Sequence, residues 1–107
     1  MSVIEYNKLV RDKIPQIIEE DNKKCSVRIL DDGEYLCMVD AKLDEELAEY
    51  HKDQNIEELA DLLEVIYAAT KARGYSVDDL ERIRKEKADK RGAFDEKIFL
   101  EYVEKND

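Results

Sequence analysis

Two apolar stripes, separated by a few residues, decide most of what this chain can become. Leu36, Val39, Leu43, Leu47 and Tyr50 recur at helical spacing, and Leu59, Leu62, Leu63, Ile66 and Thr70 do so again further on. The spacing predicts one helix over 33–52, which Asp31 or Asp32 can cap, and another over 56–73, which Asn55 can cap. Helices of this size run about 30 Å. A loop this short forces them to lie antiparallel.

The rest of the chain is arranged around that hairpin. Residues 1–10 have no clear period. Asp12 can cap a helix over 13–23, with Pro15 in its first turn and Ile14, Ile17 and Ile18 on its inner face. Gly74 suits the residue after a helix end, with Lys71 and Arg73 in the last turn, where the dipole favours cations. Ser76 and Asp79 have capping-box spacing and start a fourth helix over 77–90. Residues 25–30 alternate as a strand does, and 97–103 are expected to pair with 26–30 as a short ribbon. The expected fold is therefore a mainly α bundle of about four helices with a minor two-stranded β ribbon. The expected organisation is a single domain over residues 1–107.

Charge narrows the function. The chain carries 28 acidic and 18 basic residues, a net charge of −10, and its charged fraction of 43% far exceeds the ~25% of ordinary globular proteins. Such a surface repels phosphate backbones and anionic membranes, so polymeric nucleic acid and membrane partners are not expected. A small phosphorylated ligand remains compatible, because a divalent cation reverses the local sign. Cys25 and Cys37 form no metal-binding spacing with histidines. With no signal-peptide pattern at the start, they read as free thiols of a cytoplasmic protein, small apolar residues of its core. A core this small gains from association, so a homodimer or homotetramer through apolar helix faces is expected.

The acidic residues are concentrated where the hairpin turns. Glu46 and Glu49 project from one side of the first long helix, at the edge of its apolar stripe, and Glu58 and Asp61 repeat the i, i+3 pattern across the turn. Glu45, Glu57 and Glu64 stand nearby. One reading is a solvated acidic face. Against it, solvated faces alternate sign, with Glu four before Lys, whereas basic partners are almost absent from 44–64. Like charges crowded into a half-buried cleft cost free energy that a cation offsets. All-carboxylate donors suit Mg²⁺, or Mn²⁺. Mg²⁺ held this way bridges to substrate phosphates, and with no phosphate-cradling Gly-rich loop the pattern suggests hydrolysis of a phosphoanhydride.

Glu45-Glu46-Leu47-Ala48-Glu49 followed by Glu58-Leu59-Ala60-Asp61 resembles the EExxE…ExxD signature of the all-α nucleoside triphosphate pyrophosphohydrolases, the MazG-like superfamily. Residues 6–15 (YNKLVRDKIP) resemble the opening of its small, phosphoribosyl-ATP pyrophosphohydrolase-like branch, and 87–94 (KADKRGAF) its closing segment, with Ala93 where a second Gly is usual. The resemblance implies Glu46, Glu49, Glu58 and Asp61 as metal ligands. It implies Glu45 as the catalytic base, or as a residue supporting the ligands from outside, and Lys8, Arg11, Lys87 and Arg91 as phosphate contacts. The implied reaction is NTP + H₂O → NMP + PPi, with a possible house-cleaning role; phosphoribosyl-ATP is the alternative substrate. Only eight residues separate Glu49 from Glu58, fewer than is usual in the superfamily, which bears on substrate choice. An acidic helical interaction protein without enzymatic activity is the reading from a different class.

The remaining chemistry-bearing residues are few. His51 has no Ser or Cys nucleophile beside it and reads as exposed or capping. Tyr6, Tyr67 and Tyr75 read as packing residues. Lys8, Arg11 and Lys13 form a basic cluster that can pair with Glu19 or Glu20, or face phosphate.

Overall fold

The structure is a computed structural model that describes residues 2–106. It contains helices α1 (Ile14–Glu20), α2 (Asp32–Asp53), α3 (Ile56–Ala72) and α4 (Val77–Arg91), so the chain is mainly α. It divides into two compact units, Met1–Tyr75 and Ser76–Asp107. None of the described helices is long and apolar enough to cross a membrane.

Local chemistry sets the helix ends. The Asp31 carboxylate accepts from the Glu34 amide at 2.8 Å, and the Asn55 side-chain oxygen accepts from the Glu58 amide at 3.0 Å. Each bond satisfies an amide that has no partner inside its helix. Between them, α2 ends at Gln54 in the left-handed region (φ 50°), whose amide donates to the Tyr50 carbonyl. The connection is thus Gln54 and Asn55 alone, and α2 and α3 pack as an antiparallel pair. Arg73 at the far end of α3 meets Asp40 on α2 at 3.4 Å. Gly74 follows with φ 89°; open space surrounds its missing Cβ, so the backbone angle alone calls for glycine there.

The first unit buries little. Val39 is fully buried, while Leu36, Leu43, Tyr50, Leu62 and Ile66 along the α2–α3 seam are half-buried. Leu47, Leu59 and Leu63, members of the expected stripes, are exposed. Leu9, Val10, Ile14 and Ile18 of the preceding segment are half-buried.

In the second unit, α4 carries the expected capping box: the Ser76 hydroxyl accepts from the Asp79 amide at 3.0 Å, and the Asp79 carboxylate accepts from the Ser76 amide at 2.9 Å. Residues 92–106 follow without regular structure.

Several expectations are corrected. The ribbon between 26–30 and 97–103 does not form; no strand occurs among the described residues. Alternation marks a segment able to pair, but pairing also needs a partner brought to it. The first helix is shorter than 13–23. It begins after Lys13, without a side-chain cap from Asp12, and ends before Asn22, whose φ is 59°. Cys25 and Cys37 are exposed rather than part of the core, as are Tyr6 and Tyr75.

Candidate metal and phosphate site

The acids of the hairpin converge. One oxygen each from Glu46, Glu58 and Asp61 lie within 4.8 Å of one another, and the same holds for Glu49, Asp53 and Glu58. Glu46, Glu49 and Asp53 descend α2 at three- and four-residue steps, while Glu58 and Asp61 sit one step apart at the start of α3. The two-residue turn sets these rows side by side, and Glu58 belongs to both groups. Oxygens around one Mg²⁺, at bonds of about 2.0–2.1 Å, lie ~3–4 Å apart. Small side-chain rotations would close either group onto an ion, and the all-oxygen donor set is the chemistry a hard cation takes.

Electrostatics mark Glu58 as the strained member. Its carboxyl is pushed above the ordinary glutamate range, first by partial desolvation, then by repulsion from Asp53, Asp61, Glu49 and Glu46. Among the described residues no basic side chain pairs with Glu49, Asp53 or Glu58.

The neighbouring cations come from two places. The segment before α1 brings the Lys8 ammonium to 3.1 Å from Glu45 and the Arg11 guanidinium to 2.7 Å from Asp61. These pairs replace the expected ones to Glu19 or Glu20. Lys42, on α2 itself, lies 3.2 Å from Glu45 and 3.5 Å from Glu46, with its side chain only 14% exposed. Partial burial raises the Glu45 carboxyl, but the bonds from Lys8 and Lys42 outweigh it and hold the group below the ordinary range.

Of the residues singled out in the sequence, Glu46, Glu49, Glu58 and Asp61 gather at the turn, with Glu45, Lys8 and Arg11 beside them. Lys87 and Arg91 lie on α4 in the second unit, Arg91 in its last turn. His51 is exposed in the last turn of α2, as expected. Two members were missed: Asp53 and Lys42. Asp53 stands four residues after Glu49, and Lys42 four before Glu46, so helical spacing alone signals both.

Comparison with known proteins adds little chemistry. No protein-family model matches the chain, and no solved structure matches it. An uncharacterized protein of Mycolicibacterium smegmatis (strain ATCC 700084 / mc(2)155) is 51% identical over 41 residues, which are 38% of this chain and 42% of that relative. The chain thus spans about two fifths of the length of the relative it matches.

Proposed function

We propose that this protein is a metal-dependent nucleoside triphosphate pyrophosphohydrolase of the MazG-like type, converting NTP and water to NMP and pyrophosphate. The observation that carries the reading is the pair of acid groups at the α2–α3 turn, Glu46, Glu58 and Asp61 in one and Glu49, Asp53 and Glu58 in the other, with Lys8 and Arg11 beside them. A crowd of acids alone repels a triphosphate. Acids shared between a divalent cation and nearby ammonium and guanidinium groups can receive one.

Glu46, Glu49, Glu58 and Asp61, with Asp53 beside them, would hold Mg²⁺ or Mn²⁺. Such an ion neutralises phosphate charge and acidifies water. Attack of water on the α-phosphorus forms one P–O bond and breaks the bridge to the β-phosphate. The water's proton passes to a carboxylate, and the leaving pyrophosphate takes up negative charge. Lys8 and Arg11 are placed to exchange their carboxylate partners for that charge; Lys87 and Arg91 are assigned the same task on the resemblance alone. Of the two roles open to Glu45, base or support, its two ammonium partners favour support. An acid held below the ordinary range accepts a proton weakly, but it fixes Lys8 and Lys42 beside the ligands.

Cytoplasmic residence and a homodimeric or homotetrameric state complete the proposal. The exposed Leu47, Leu59 and Leu63 support association through helix faces.

The test is a panel of nucleoside triphosphates with phosphoribosyl-ATP included, incubated with Mg²⁺ or Mn²⁺ and read as released pyrophosphate. The expected result is cation-dependent release from at least one compound, lost in Glu58→Gln. No release from any of them, or equal release by the variant, overturns the reading. Preference for phosphoribosyl-ATP would select the alternative substrate.

A further inference from the structure

Among the tyrosines of the first unit, Tyr35, Tyr50 and Tyr67 are half-buried on α2 and α3, whereas Tyr6 and Tyr75 are exposed. Tyr75 follows the far end of α3, about three helical turns beyond Asp61. Tyr6 stands at the acids instead. The Lys8 ammonium that lies 3.1 Å from the Glu45 carboxylate also lies 5.7 Å from the centre of the Tyr6 ring, within the ~6 Å over which a ring face attracts a cation. One cation thus links an aromatic ring to the residue beside Glu46. With 67% of Tyr6 exposed, packing does not account for the ring.

The segment that carries the ring is tied down behind it. Leu9 and Val10 are half-buried, and the Arg11 guanidinium holds Asp61 at 2.7 Å. Asn7, at φ 47°, turns the chain between ring and ammonium in the left-handed region, which asparagine tolerates. The ammonium meets one face of the ring, and the exposure leaves area for a second, flat partner. Every nucleobase has such a face, and stacking on an aromatic side chain is a main source of affinity for an unpaired base. In a nucleotide the base stands one ribose away from the α-phosphate. Phosphates received by Lys8 and by a cation at the acids therefore bring the base within reach of Tyr6.

We propose that Tyr6 is the base-contacting residue of this site: its ring stacks on the nucleobase of a bound nucleoside triphosphate while Lys8 meets the phosphates. The ring selects a ligand that carries a base over one with phosphates alone. The assignment rests on the nucleotide reading above and adds to it the residue that recognises the nucleoside.

The test is titration calorimetry on the full chain with Mg²⁺ present. The ligands are the α,β-methylene triphosphates of adenosine, guanosine, cytidine and uridine, which resist cleavage at the α–β bridge, and inorganic tripolyphosphate, which has no base. Wild type should bind at least one nucleotide analogue more tightly than tripolyphosphate. Tyr6→Ala should weaken that analogue about 5- to 150-fold, the range for losing one stacked base, and leave tripolyphosphate unchanged. Tyr6→Phe keeps the ring and should keep the affinity. Three results overturn the stacking role and leave the nucleotide reading standing: equal weakening of both ligand types by Tyr6→Ala, no weakening of either, or the same loss in Tyr6→Phe. Analogues that bind wild type no better than tripolyphosphate overturn it as well. A wild-type chain that binds none of these ligands overturns the nucleotide reading and the Tyr6 assignment together.

Discussion

Replacing Lys42 by Met separates an acidic patch from a cation site. Methionine keeps an unbranched apolar side chain along the helix and removes the charge. The ammonium lies 3.2 Å from Glu45 and 3.5 Å from Glu46, on a side chain 14% exposed. At 3.2 Å, one such pair is worth about 1.3 kcal/mol in the dielectric of water and about 5 kcal/mol at an effective constant of ~20. Glu45 keeps part of its solvent and its bond from Lys8, so the lower end applies. The net loss without divalent cations is about 1–2 kcal/mol after the recovered desolvation of the lysine. For a unit of this size that lowers the melting temperature by about 5–15 °C. Added Mg²⁺ should narrow the gap. A ligand at a hundred times its dissociation constant stabilises by ~2.7 kcal/mol, and the variant offers it a pocket with one fewer competing cation. Lys42→Met should therefore melt well below wild type in EDTA and gain more than wild type from millimolar Mg²⁺, by differential scanning calorimetry. Equal Mg²⁺ gains in both proteins, or no loss in EDTA, would refute the reasoning.

Glu58→Gln should keep or raise the metal-free melting temperature, because four carboxylates repel the side chain it removes. The pH dependence follows from the same shift. Glu58 is raised in the folded state, so its repulsion is fully felt above its folded pKa and relieved as pH falls toward the ordinary value of 4.5. The advantage of the variant in EDTA should then shrink between pH 7 and about 4.5, and an advantage that grows there would count against the acidic cluster. Arg11→Gln should tighten Mn²⁺ binding about 1.4- to five-fold by electron paramagnetic resonance, since an exposed pair to Asp61 is worth ~0.2–1 kcal/mol; unchanged or weaker binding would show that the guanidinium does not compete for that carboxylate. Ser76→Ala should cost the α4 region about 1 kcal/mol, seen as faster amide exchange in residues 77–80, whereas unaltered exchange would mean the capping box adds nothing.

The sequence made local features easiest to read. The caps at Asp31, Asn55 and Ser76 depend on residues three apart, so the start of each long helix was plain. The gathering of acids was legible because one short turn joins two helical repeats. Lys42 fell outside the acidic stretch itself, although its spacing to Glu45 and Glu46 is that of any helical pair. The partners of Lys8 and Arg11 were harder to see, because they lie 37 and 50 positions away and depend on how residues 8–11 settle against the hairpin. Strand pairing failed for a similar reason: alternation at 25–30 and 97–103 records readiness to pair and says nothing about which chain supplies the partner. The exposure of Cys25 and Cys37 also has no local signature.

The link between α2 and α3 at Gln54 and Asn55 has a consequence for folding speed. All the gathered acids come from 46–61, so the pocket needs no distant part of the chain to exist. A loop of about ten residues closes in ~10–100 ns, so these helices can meet early during folding. The mutual repulsion is then met at that first closure, before residues 8–11 need have delivered their cations. On the proposed metal role, a refolding buffer that contains Mg²⁺ should accelerate formation of the hairpin and chelation should slow it, so that the ion would act on the rate of folding as well as on the finished site.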